Sequence, residues 1–132
     1  ALATQQSIKA YVDNTTGALQ YSKSISVESP DSSEDISMFF TNAAITITEM
    51  RAVLIGSSTP SVTWTIRFNS DRSAAGTEVV TGGTTTTSTT TGSDVTSFND
   101  ATIPADNFVW LETTAQSGTV DEIHITIVYT ID

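Results

Sequence analysis

From Leu19 to the end of the chain the apolar residues recur at every second position, in short runs separated by Gly, Pro, Asn, Asp and Ser, and this periodicity restricts the fold more than any other feature. A period of two sends successive side chains to opposite faces of a pleated strand, so that one face is buried and the other hydrated. The run Ser61 to Asn69 is the cleanest case, with Val62, Trp64, Ile66 and Phe68 on one side and Thr63, Thr65, Arg67 and Asn69 on the other. The last run, Glu122 to Ile131, sets Ile123, Ile125, Ile127, Tyr129 and Ile131 inward. Further strands are expected at Leu19 to Val27, Ile36 to Thr41, Ala44 to Ile55 (bulged near Glu49), Thr77 to Val80, Thr84 to Thr91, Val95 to Phe98 and Phe108 to Thr114. Between them, Ser29 to Ser33, Gly56 to Pro60, Asn69 to Gly76, Pro104 to Asn107 and Ser117-Gly118 read as loops and turns.

The first residues have a different period. Thr4 is suited to cap a helix over Gln5 to Val12, in which Ile8, Tyr11 and Val12 form one apolar stripe before Asn14-Thr15-Thr16-Gly17 ends it. Two helical turns do not persist alone in water, so the stripe must pack on its own β domain or on copies of itself. The expected organisation is a helical lead or stem over residues 1–17 and a β-sandwich knob over residues 18–132. Its fold class is all-β, an antiparallel two-sheet sandwich of jelly-roll type with a short N-terminal helix.

Composition fits one domain: 132 residues close a single core, and about a third of them are Ser or Thr, which strands tolerate well. Fifteen acidic residues against five basic ones give a net charge of −10, with Lys9, Lys23, Arg51, Arg67 and Arg72 scattered. A nucleic-acid partner would require a cationic footprint, and an anionic membrane surface is disfavoured for the same reason. No window is apolar enough to insert in a bilayer as a helix. The absence of cysteine removes disulfides and thiolate metal sites.

Three runs are apolar on both faces: Met38-Phe39-Phe40, Ala52-Val53-Leu54-Ile55 and Phe108-Val109-Trp110-Leu111. A sandwich strand with two apolar faces needs a second cover, either another subunit or loops crossing the outer face. With the stem stripe, these runs nominate Ile8, Tyr11, Val12, Phe39, Val53 and Trp110 as oligomer-interface residues.

Chemistry is sparse. The one histidine, His124, falls mid-strand on a polar face, no Gly-x-Ser-x-Gly elbow is present, and Gly82-Gly83 lacks the lysine of a phosphate loop. The cluster Asp31-Ser32-Ser33-Glu34-Asp35 lacks the glycine and closing glutamate of an EF-hand and reads as a solvated turn. No catalytic, metal-binding or cofactor-binding residue is assigned, and no enzyme activity is expected. Arg72, Asn99, Asp106 and Asn107 are candidate glycan contacts, as loop polar groups able to hydrogen-bond hydroxyls.

The lead Leu2-Ala3-Thr4-Gln5-Gln6-Ser7-Ile8-Lys9-Ala10-Tyr11-Val12-Asp13 is similar to a segment recurring in bacteriophage tail-fibre and other virion proteins, near the junction to a C-terminal domain. The stretches from Asp71 to Val79, Ile103 to Thr114 and Ser117 to Glu122 resemble C-terminal β domains of phage structural proteins. What the resemblance implies is a homotrimeric tail-fibre or spike knob on the virion, contacting other virion proteins and a host-surface glycan. A capsid decoration or head-fibre protein is the alternative, and a glycan-binding module of a tailspike a third. A start at Ala1 suits either a piece of a longer fibre or a small protein that has lost its initiator methionine.

Overall fold

The computed structural model describes residues 19–132, and the expected helical stem, with Ile8, Tyr11 and Val12, lies outside the described residues. The described chain is all-β and antiparallel. Its strands are β1 (Gln20–Glu28), β2 (Asp35–Phe40), β3 (Ile45–Asn69), β4 (Thr77–Glu78), β5 (Thr84–Thr86), β6 (Ser93–Val95), β7 (Thr102–Ile103) and β8 (Phe108–Ile131).

Two strands are far longer than the sequence pattern suggests. β3 has 25 residues and β8 has 24, and they pair with each other from Ile45 and Ile131 at one end to Asn69 and Phe108 at the other. The expected loop at Gly56 to Pro60 and the expected turn at Ser117-Gly118 are therefore places where a continuous ribbon bends. Ser57 pairs with Thr119 and Ser61 with Ser117, so three residues of β3 face Gly118 alone. Ser58 and Thr59 take positive φ values of 58° and 54°, and Gly118 has φ 69°. A Cβ on Gly118 would stand 2.6 Å from the carbonyl oxygens of both Ser58 and Thr59, so only glycine lets the two backbones approach this closely.

Chain connectivity shows how far the ribbon folds. Phe40 pairs with Phe108 at the start of β8, yet Ile45 pairs with Ile131 at its end. A straight strand of that length would span roughly 75 Å, whereas the five Cα steps from Phe40 to Ile45 reach at most about 18 Å. The two halves of β8 must therefore fold back until their far ends meet, and the ring of Phe39, on the strand paired with the start of β8, stacks 5.9 Å from that of Tyr129 near its end.

Around that bend each strand contributes to two facing sheets. One has the order β1, late β8, early β3, then β6 and β7; the other has β2, early β8, late β3, then β4 and β5. With β4 and β5 counted as one edge segment along late β3, and β6 and β7 as one along early β3, this is the jelly-roll arrangement of eight antiparallel segments. The core lies between the sheets and takes Ile47, Met50, Leu54, Ile123, Ile125 and Ile127 from one and Val62, Trp64, Ile66, Val109 and Leu111 from the other. Each such side chain contributes on the order of 1.5–3 kcal/mol before conformational entropy is subtracted. The bulge expected near Glu49 is a register shift between Ile47 and Glu49 that leaves Thr48 unpaired and restores the phase of the inward face.

Threonine also serves inside the fold. The buried Trp64 donates its indole N–H to Thr86 Oγ1 at 2.9 Å, and buried Thr113 Oγ1 donates to the Asp31 carbonyl and accepts from the Glu34 N–H. In the acidic turn itself, Asp31 Oδ1 accepts from the Ser33 N–H and Glu34 Oε2 from the Asp31 N–H, so local backbone donors take up these carboxylates. The threonine tract is strand only over Thr84–Thr86 and then turns, and short pairing occurs at Ser93–Val95 and Thr102–Ile103 rather than at Val95 to Phe98. Ile131, expected inward, is 50% exposed because it pairs at the open end of the sandwich.

Candidate functional site

Strand alternation puts Glu49, Arg51 and Val53 of β3 on the solvent face of the first sheet, beside His124, Thr126 and Val128 of β8. The turn after β5 rises next to them. It is tied down by the Leu54 N–H donating to the Ser88 carbonyl, and Ser88 Oγ accepts from the Gly92 N–H at 2.9 Å. Between turn and sheet lies an open cavity of about 250 Å³, lined by Glu49, Arg51, Val53, Thr91, His124 and Thr126 among others.

The polar groups of this groove are held in place. Arg51 forms a 2.8 Å ion pair with Asp94 of β6, while its Nε and Nη2 both donate to the Thr91 carbonyl. Asp94 also stands against Glu49. Hydrogen bonding with Asp94, then repulsion from its charge, raises the Glu49 carboxyl above the usual glutamate range, against the opposing pull of Arg51. His124 Nδ1 is 2.7 Å from Ser26 Oγ, and its Nε2 is 3.2 Å from Thr126 Oγ1. A hydroxyl rather than a carboxylate meets each ring nitrogen, so Ser26 and His124 form a cross-strand pair without the acid that orients a hydrolytic histidine. Among the described residues no three His, Cys, Asp or Glu side chains gather closely enough to hold a metal ion.

Of the interface residues expected from the sequence, the three among the described residues do not share a surface. Phe39 is half-buried at the open end, against Tyr129; Val53 is half-buried in the groove; and Trp110 lies on the outer face of the second sheet. Trp110 is fully buried within its own chain and is not available to a sister copy. The loop between β3 and β4 closes over it, with the Arg72 guanidinium 4.5 Å from the ring centroid and Gly76 packed against the far edge of the indole. A loop crossing the outer face covers Trp110, while Phe108 of the same run stays exposed.

The expected glycan contacts are likewise dispersed. Arg72 is spent on Asp35, Ser37 and Trp110. Asn99 Oδ1 accepts the Thr81 N–H. Asp106 occupies a turn position at φ 60°, and Asn107 is buried, its amide donating to the Ala105 carbonyl and its own carbonyl accepting the Thr41 N–H. Asn107 is thus a structural turn residue. The Glu49, Arg51, Asp94 and His124 constellation went unseen in the sequence because it depends on the pairings Arg51 to Asp94, Val53 to His124 and Ser26 to His124.

No protein-family model matches the chain, and no curated protein matches it. A solved structure described as "Bacillus endospore appendages form a novel family of disulfide-linked pili" is similar at 19% identity and a TM-score of 0.37, over 86% of this chain and 88% of that chain. A likeness of this degree assigns no role or partner here.

Proposed function

We propose that this chain is a non-enzymatic structural domain of an extracellular particle, the β knob of a phage fibre or spike, which assembles as a homotrimer around its N-terminal lead and presents its sheet faces outward to a host-surface glycan. One observation carries the reading. Of the six large hydrophobic side chains exposed among the described residues, five (Leu19, Tyr21, Phe40, Phe108 and Ile131) gather at the end of the sandwich where residues 1–18 join β1.

At that end Tyr21 stacks on Tyr129, Tyr129 on Phe39, and Phe40 meets Phe108 edge to face at 4.9 Å. Isolated exposed apolar side chains are ordinary, but a contiguous apolar end marks a surface that is covered in the assembly. The resemblance of the lead to fibre junction segments supports a cover made by three leads and three knob ends about one axis. The remaining surface is mostly Ser and Thr with a net negative charge, which suits a soluble display domain.

Light scattering on the full chain at micromolar concentration tests this. The trimer mass is expected, and Phe40→Asp with Ile131→Asp should lower it while leaving the β spectrum intact. A monomeric native chain would remove the reading. Immunogold labelling of virions should place the chain on fibres, and label over the capsid shell would replace the fibre knob with a decoration protein.

A further inference from the structure

We propose that the groove between β3, β8 and the 88–92 turn is a binding site for a single neutral sugar residue of a polysaccharide, with Glu49, Arg51 and Thr126 as its polar contacts, His124 holding Thr126 from the side, and Val53 and Val128 beneath the ring. The site gives a location, and one neutral ring as the bound unit, to the glycan attachment proposed above and rests on that role.

Charge selects the ligand. Arg51 is the cation of the groove, and Asp94 already neutralises it at 2.8 Å, while Glu49 adds a further carboxyl. A phosphate or sulfate would meet two acids and one committed guanidinium, so an anion is rejected. A wholly apolar ligand would strip water from Glu49 and Arg51 without replacing their hydrogen bonds. A neutral hydroxylated ring satisfies both demands. Its hydroxyls donate to a carboxylate and accept from a guanidinium or hydroxyl, and its C–H face covers valine methyl groups.

The wall is fixed in advance. Ser88 closes the turn on itself through Gly92, and the Thr91 carbonyl anchors Arg51 at two nitrogens. Groups already ordered lose little freedom when a ligand arrives, which suits weak single-residue contacts repeated on a multivalent particle. The cavity of about 250 Å³ is near the lower limit of ligand pockets, the scale of one ring.

The test is a ¹H–¹⁵N correlation titration of the full chain with methyl glycosides of glucose, galactose, mannose and N-acetylglucosamine at millimolar concentrations. Saturable shifts are expected for at least one glycoside, confined to residues 49–54, 88–94 and 124–128. Glu49→Gln and Thr126→Val, both at solvent-facing positions, should each weaken that binding roughly tenfold, and Val53→Trp should abolish it by filling the groove. Absence of saturable shifts with all four sugars, shifts centred elsewhere, or unchanged affinity in Glu49→Gln and Thr126→Val would overturn the site. A trimer that fails to bind sugars removes this groove and leaves the knob, whereas a sugar-binding monomer removes the knob assembly and leaves the groove.

Discussion

The guanidinium of Arg72 lies 4.5 Å from the ring centroid of Trp110 and reaches past it to Asp35 and Ser37, so one loop residue joins β2 to β8 across the outer face of the second sheet. Trp110 donates its indole N–H to Glu112 at 2.7 Å, and Gly76 packs so closely that a Cβ there would stand 2.6 Å from the ring. Trp110→Ala should cost about 3–5 kcal/mol of stability, Arg72→Ala about 1 kcal/mol, and Gly76→Ala about 1–3 kcal/mol from clash and strain. Urea unfolding monitored by far-UV dichroism measures all three. None should change the assembly mass, since Trp110 is covered by its own chain.

The Thr-rich segment contains a second test. Thr86 is buried and is the partner of the Trp64 indole N–H, whereas its neighbour Thr87 is exposed. Thr86→Val preserves shape and leaves the indole donor unpaired in the core, at an expected cost of about 1–3 kcal/mol. Thr87→Val should stay within about 0.5 kcal/mol of the native chain. Equal effects in the two variants, read from urea midpoints, would show that Thr86 is not the partner of Trp64.

These contrasts also show what the sequence made legible. Alternation placed Val62, Trp64, Ile66 and Phe68 in the core and marked Ile123, Ile125 and Ile127 as inward, because burial of one face imposes a period of two directly on residue type. The bend stayed hidden. Gly56 to Pro60 and Ser117-Gly118 have the composition of chain reversals, and composition does not distinguish a reversal from a bulged corner that two paired strands cross together. Trp110 was misplaced for a related reason: its run is apolar on both faces, and whether a loop or a subunit covers the outer face is decided by where residues 70–76 travel. The groove was invisible because Asp94 is remote from Glu49 and Arg51 in sequence and meets them only through strand register.

The corner itself is open to test. With φ 69° and two carbonyl oxygens 2.6 Å from its hypothetical Cβ, Gly118 cannot accept a side chain unless the β3 backbone retreats. Gly118→Ala is expected to cost at least about 2 kcal/mol, more than the same change at Gly82, where a Cβ would meet nothing within 4 Å. Because β3 and β8 run through the corner, the loss should appear as a lower urea midpoint for the entire domain and not as local fraying. Hydrogen exchange would show both sheets losing protection together.

Protonation of the groove gives the last prediction. The Glu49 carboxyl is raised by Asp94 through hydrogen bonding and charge, so in the window between its ordinary value near 4.5 and its higher folded value the native chain holds more proton than the unfolded chain. Stability then falls as pH rises through that window, and the contribution is fully present only below it. Glu49→Gln resembles the protonated side chain at every pH. Its melting temperature should therefore exceed that of the native chain near pH 7, where Glu49 and Asp94 repel each other, and the difference should vanish at the acidic end. Asp71 acts in the opposite sense: its carboxyl accepts from the Ser73 hydroxyl and N–H and is lowered, so its contribution is lost as pH falls below the usual aspartate value near 3.8. Melting curves of the native chain, Glu49→Gln and Asp71→Asn across this range separate the two. A Glu49→Gln difference independent of pH would show that Asp94 does not govern the Glu49 proton.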